Sequence, residues 1–194
     1  MAKALRLAVL GSTSGTDLAA LLTAQQAGQL TPSAIVLVIS NRAEAYILER
    51  ARQANIETIV VPSARRSQAD FEADLLNVLQ QHHIDYIFLI GFMKILSAHF
   101  IAHFSMKILN IHPSLLPKYA GGMNLDVHQQ VLNNRDAETG CTLHYVTADV
   151  DEGPIVGQER VPVLPHDTAI TLKQRVQQAE QKLLLRAIHQ LTNC

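Results

Sequence analysis

The residues best suited to chemistry gather in three short stretches. In "ILNIHPSLLPKY", Ile108 to Tyr119, an apolar run closes on Asn110 and His112. Side chains of a strand alternate faces, so this amide and this imidazole point the same way. Pro113 and Pro117 then restrict the backbone that follows. A donating or protonated imidazole beside an amide N–H suits a developing oxyanion. The second stretch, "TADVDEG" (Thr147 to Gly153), carries Asp149, Asp151 and Glu152. A carboxylate placed beside His112 would favour the imidazolium and raise its pKa. The third, "GSTSGTD" (Gly11 to Asp17), leads small residues into a helix start, whose free backbone N–H groups suit an anion such as phosphate. Each has a plainer alternative: a hydrogen-bonded histidine at a strand end, an acidic turn in solvent, and a tight turn with helix capping.

The elements that must position these residues are legible from periodicity. Continuous apolar runs at 5–11, 33–40, 57–62, 85–92 and 107–112 read as buried strands. Between them, 16–28, 41–56 and 67–84 read as helices, with a short helix from Ser97. Apolar strands alternating with helices predict a parallel sheet covered on both faces. After His112 the pattern changes. A helix at 125–134 precedes two strands, 140–146 and 154–163, joined by the short acidic loop. Strands this close pair antiparallel. A long amphipathic helix, 167–191, opens on an Asp-Thr cap. The expected fold class is α/β: a doubly wound, mostly parallel sheet with an antiparallel C-terminal extension. In such sheets ligands bind at the carboxyl ends of the strands, where the first and third stretches lie; the sequence alone does not place Asp151 beside His112.

Composition narrows the field. The chain has 194 residues, 48% hydrophobic and 17% charged, with a net charge of −1. That is a globular composition with no charge excess steering it to nucleic acid or an anionic membrane. Two cysteines, Cys141 and Cys194, make no disulfide framework and no C-x-x-C pair. The apolar run at the N-terminus is too short and polar for a signal peptide or a membrane span, so a cytoplasmic location is expected. His99 and His103 lack a third ligand nearby, and no metal is expected.

"GFMKILS", "LNIHPSLLPKY", "DVDEGPIV" and "RVQQAE" occur in that order. Together they resemble the glycinamide ribonucleotide formyltransferases, over nearly the whole chain. The resemblance implies a Rossmann-like formyltransferase fold in a single domain, 1–194. Residues 1–105 would form a nucleotide-phosphate-binding half, and 106–194 a catalytic and folate-binding half. It implies transfer of a formyl group from 10-formyltetrahydrofolate, as co-substrate, to the amine of glycinamide ribonucleotide, with no metal. Asn110, His112 and Asp151 would be the catalytic set. Ser12, Thr13, Ser14, Gly15, Thr16 and Asp17 would hold the phosphate, and Glu180 and Pro113 the rest of the acceptor. Met93, Lys94, Ile95, Leu96, Asn110, Val146 and Asp149 would meet the folate.

The partners implied are these two small molecules, without nucleic acid or membrane, in a monomer or homodimer. Three departures stand out. Asp17 occupies a position where Asn is usual, putting a negative charge near a dianion unless it caps the helix. Lys94 replaces Arg and loses the planar fork. The loop "AGGMNLDVHQQ" is longer than the compact form of some members, and His128 in it matches a family histidine. Two rival functions stay open: a formyltransferase for a different small amine, and a non-catalytic nucleotide- or folate-binding paralogue.

Overall fold

A computed structural model describes residues 4–122 and 124–193; Met123, in the longer loop, and Cys194 lie outside the described residues. Chain order is β1 (Arg6–Leu10), α1 (Thr16–Gln26), β2 (Ala34–Ser40), α2 (Tyr46–Gln53), β3 (Glu57–Val60), α3 (Gln68–Gln81) and β4 (Tyr86–Leu89). Then follow α4 (Ala98–His103), β5 (Ile108–His112), α5 (Asn124–Asn133), β6 (Glu138–Tyr145), β7 (Ile155–Pro162) and α6 (Ala169–Asn193). The strands form one seven-stranded sheet in the order β3-β2-β1-β4-β5-β6-β7. Pairing is parallel from β3 to β5 and antiparallel from β5 through β7.

The apolar strands are continuous because helices cover both faces. In β1, Leu7 and Val9 pack with Leu18 and Leu21 of α1, Ile47 and Leu48 of α2 and Val176 and Leu184 of α6. Ala8 and Leu10 pack on the other face with Phe71, Leu75 and Leu79 of α3 and Phe100 of α4. Truncating one of these core leucines to Ala costs about 2–5 kcal/mol. Caps start the helices where the sequence suggests: Ser67 accepts Asp70 N–H at 3.1 Å, and Thr168 Oγ1 accepts Thr171 N–H at 3.2 Å. One expected helix is shorter than its pattern. Residues 42–45 close a turn, with Ala45 N–H on Arg42 O at 3.3 Å, so α2 begins only at Tyr46. Asn55, at φ 59, lies just beyond its end.

β1 has β2 on one side and β4 on the other. The loops after β1 and β4 therefore leave the sheet toward opposite helical layers, and a crevice opens between them.

Candidate active site

The crevice is a cavity of about 650 Å³, in the range of small-molecule sites. Two glycines bring its walls together. Gly15, at φ 64, is the N-cap of α1, and a Cβ there would lie 2.4 Å from Ile47 Cγ1. Gly91, at φ 59, leaves room for Thr13, whose Oγ1 would be 2.4 Å from a Cβ. Only glycine permits both the backbone and the approach.

At one end of the cavity β5 delivers Asn110 and His112. The β6–β7 loop returns Asp151 to them: its Oδ2 lies 3.3 Å from His112 Nδ1. Asp151 sits at φ 59, and its Oδ2 also accepts Gly121 N–H at 2.8 Å. Burial pushes the Asp151 carboxyl up, but the His144 and His112 rings beside it and the bond from Gly121 outweigh it. The carboxyl is held below its usual value. At His112 the carboxylate acts in the expected direction, but burial acts more strongly. Burial lowers its pKa, and the nearby Asp151 and the bond to Tyr119 offset this only in part, so the net shift is down. Its Nε2 donates to Tyr119 O at 3.1 Å.

"HPSLLPKY" works as a brace for that ring. Ser114 Oγ donates to Lys118 O at 2.5 Å, and Thr142 Oγ1 donates to Ser114 O at 2.7 Å while accepting Leu116 N–H at 3.0 Å. Gln158 of β7 donates to Leu116 O at 3.0 Å. The segment is thus tied to β6 and β7, and it presents Tyr119 O to His112 from outside the sheet.

A fourth side chain joins the group without having been singled out in the sequence. His144 of β6 pairs across the sheet with Asn110. Its Nδ1 donates to Tyr145 O at 3.0 Å, leaving Nε2 to accept Asn110 Nδ2–H at 3.1 Å. The same Nε2 lies 3.5 Å from Asp151 Oδ1. Only a His within an apolar strand hinted at it; the pairing register that aims it is a long-range fact.

At the other end, Thr13, Ser14, Gly15, Thr16 and Asp17 line the cavity, together with Glu180, Lys173 and Gln177 of α6. Ser12 does not. Its hydroxyl donates to Asn41 Oδ1 at 2.6 Å and accepts Met93 N–H at 2.8 Å, inside the fold. Asp17 makes no capping bond to α1. It turns inward, 7% exposed, toward Glu180, which is 5% exposed rather than a solvent-facing helix charge. Burial raises Asp17 to about 6, against hydrogen bonds with Gln181 and Glu180 and the charge of Lys173. Burial, then the Asp17 charge, raises Glu180 well above its usual value. Asp17 Oδ1 has no hydrogen-bond partner. His128 of α5 also lines the cavity; burial and the Lys173 charge push it down to about 4, so the ring is neutral, with Nδ1 unpartnered.

The third wall is the segment after β4. Met93, Lys94, Ile95 and Leu96 line it, faced by Val146, Asp149 and Asp151, with Pro113 nearby. Among the described residues no group of three or more His, Cys, Asp or Glu is arranged to hold a metal ion. His99 and His103 stack edge-to-face, with centroids 4.8 Å apart.

In a doubly wound sheet, an amide, two imidazoles and a carboxylate converge on one cavity, an arrangement suited to acyl transfer. The chain belongs to the formyl transferase family, whose model matches residues 5–188. It is 39% identical over 180 residues to the phosphoribosylglycinamide formyltransferase of Escherichia coli, covering 92% of this chain and 83% of that protein. It is 41% identical over 190 residues to the trifunctional purine biosynthetic protein adenosine-3 of Drosophila melanogaster. That match covers 97% of this chain but only 14% of the longer protein. Among solved structures, the phosphoribosylglycinamide formyltransferase of Coxiella burnetii, in complex with CHES, superposes with a TM-score of 0.91 at 40% identity. The match covers 98% of this chain and 88% of that one.

Proposed function

We propose that the chain transfers the formyl group of 10-formyltetrahydrofolate to the amine of 5'-phosphoribosylglycinamide, a step of purine biosynthesis. The observation that carries this is the meeting of Asn110, His112 and Asp151 in a cavity whose two arms suit two different ligands. The amine nitrogen attacks the formyl carbon, its C=O becomes an oxyanion, and the C–N10 bond then breaks. N10 gains a proton and the attacking nitrogen loses one. Asn110 spends one amide N–H on His144 and offers the other to the oxyanion. His112 exchanges its Tyr119 contact for the same oxygen. Asp151, held ionised 3.3 Å from His112 Nδ1, favours the imidazolium as the oxyanion develops and helps move protons between the two nitrogens through water.

The acceptor's phosphate lies against the N–H groups of 13–17, with Glu180 and Pro113 along its length, and the folate against Met93 to Leu96, Val146 and Asp149. The chain acts as one domain over 1–194. Both of its halves serve both substrates, since Met93 to Leu96 precede residue 106 and Glu180 follows it. It works in the cytoplasm as a monomer or homodimer, without nucleic acid or membrane. A net charge of −1 sets up no field toward nucleic acid or an anionic membrane, and among the described residues no helix is long and apolar enough to cross a membrane. Asp17, buried beside Glu180, motivates one rival: a different small amine acceptor.

The test is a product assay. Purified protein given both substrates is expected to yield the formylated glycinamide nucleotide and tetrahydrofolate in equal amounts. Formylation of another amine in preference would favour the rival, and folate binding without any transfer would overturn the catalytic reading.

A further inference from the structure

Glu72 of α3 carries a carboxylate buried to 3% exposure, and no step of the proposed reaction uses it. Three donors converge on it. Ser97 N–H reaches Oε1 at 2.7 Å, Gln68 Nε2–H reaches Oε1 at 3.0 Å, and the Ser97 hydroxyl donates to Oε2. Receiving donors alone suits an ionised, acceptor-only group. A charge this far from water is costly unless its bonds are complete, so what they hold is informative.

They hold the end of the segment 93–97. Gln68 Nε2 also donates to Ile95 O at 3.1 Å. Ser97 Oγ accepts Phe100 N–H at 3.1 Å as the cap of α4, so Glu72 fixes the residue that starts that helix. The other end of the segment is tied by Met93 N–H on Ser12 Oγ at 2.8 Å. Between the two ties, Lys94, Ile95 and Leu96 run without regular secondary structure along the cavity, and Ile95 is 68% exposed. A stretch of chain with neither helix nor ladder bonds keeps its shape only through its anchors.

We propose that Glu72 is a positioning residue for the folate: through Ser97 and Gln68 it fixes the backbone of Lys94 to Leu96 against which the folate lies. This rests on the folate placement given above. Serine alone suffices to cap a short helix, and an apolar side chain would fill the space more cheaply. The carboxylate is explained by the backbone it orders, on a wall where a shift of about 1 Å can cost a hundredfold in rate.

The experiment is steady-state kinetics with each substrate varied in turn, alongside melting temperatures. Glu72→Gln keeps the volume but sets an NH₂ group against incoming donors. It is expected to raise the folate KM about tenfold while the nucleotide KM stays within about twofold. Glu72→Asp, which keeps the charge, should recover part of the loss. Gln68→Ala, at an exposed position, should raise the folate KM a few-fold. Gln68 also lines the cavity, so the double variant separates direct contact from the shared lock: it should add little to the larger single effect. Equal rises in both KM values, or additive effects in the double variant, would overturn the proposal. Should Glu72→Gln fail to fold, Glu72→Asp takes its place, alone and combined with Gln68→Ala: an unchanged folate KM, or additive effects in that double variant, would overturn the proposal. A wild-type protein that neither binds nor uses the folate would instead overturn the underlying functional reading.

Discussion

The cavity holds acidic side chains at both ends, and their surroundings differ. At the catalytic end Asp151 accepts Gly121 N–H and faces two imidazoles. At the nucleotide end Asp17 and Glu180 face each other, with Lys173 as the nearby opposing charge and one Asp17 oxygen unpartnered. The first carboxyl is held below its usual value and the other two above theirs. Burial pushes all three up, so the partners decide which charge survives. One cavity can thus keep a base ionised at one end and share a proton between two acids at the other.

Substitutions can break this comparison, and they rank by expected effect. His112→Ala removes the ring on which the catalytic end is organised; kcat is expected to fall at least about a hundredfold. Nucleotide affinity, measured by calorimetry, should stay near wild type, because the acceptor's other contacts lie at the far end. An equal loss of both would mean that the two ends are not separable. Glu180→Ala is expected to act the other way round, raising the nucleotide KM about tenfold with a smaller change in kcat.

Asp17→Asn sharpens the contrast through stability. A raised pKa means the folded chain binds the proton more tightly than the unfolded chain does. The advantage is full below 3.8 and is lost as pH rises toward about 6. Above that, wild type holds a charge in the fold that Asn does not carry. The variant should melt a few °C higher than wild type at about pH 7.5, with the difference vanishing below about pH 4. A variant that melts lower at neutral pH would show that the Asp17 charge is satisfied after all. The smallest effect is expected from Lys118→Ala. Its 2.6 Å pair with Asp136 is exposed on the lysine side, and thermal melting should move by less than about 2 °C.

Much of the architecture could be read from the chain because it depends on local pattern. Continuous apolar strands between helices fixed the layer order, and caps such as Ser67 and Thr168 fixed helix starts. Asn110 and His112 share a face by the period of a strand alone. What could not be read depends on pairing between distant segments. The register that sets Asn110 opposite His144 brings in a histidine no motif marked. The β6–β7 loop reaches back to His112 only once both strands are in the sheet. The direction of His112's shift also belongs to the fold, because desolvation depends on what covers the ring. The directions of the Ser12 and Asp17 side chains were not legible for a related reason. Both sit in a loop of the right composition, but one side chain turns into the fold toward Asn41 and the other toward α6.

The most direct test is a rapid-quench single turnover by Asp151→Asn with both substrates bound. The side chain keeps its shape and loses the charge that faces His112. The account predicts that formyl transfer slows at least about a hundredfold, with both substrates still bound. Transfer at the wild-type rate would contradict it, because the carboxylate would then have no part in the chemistry.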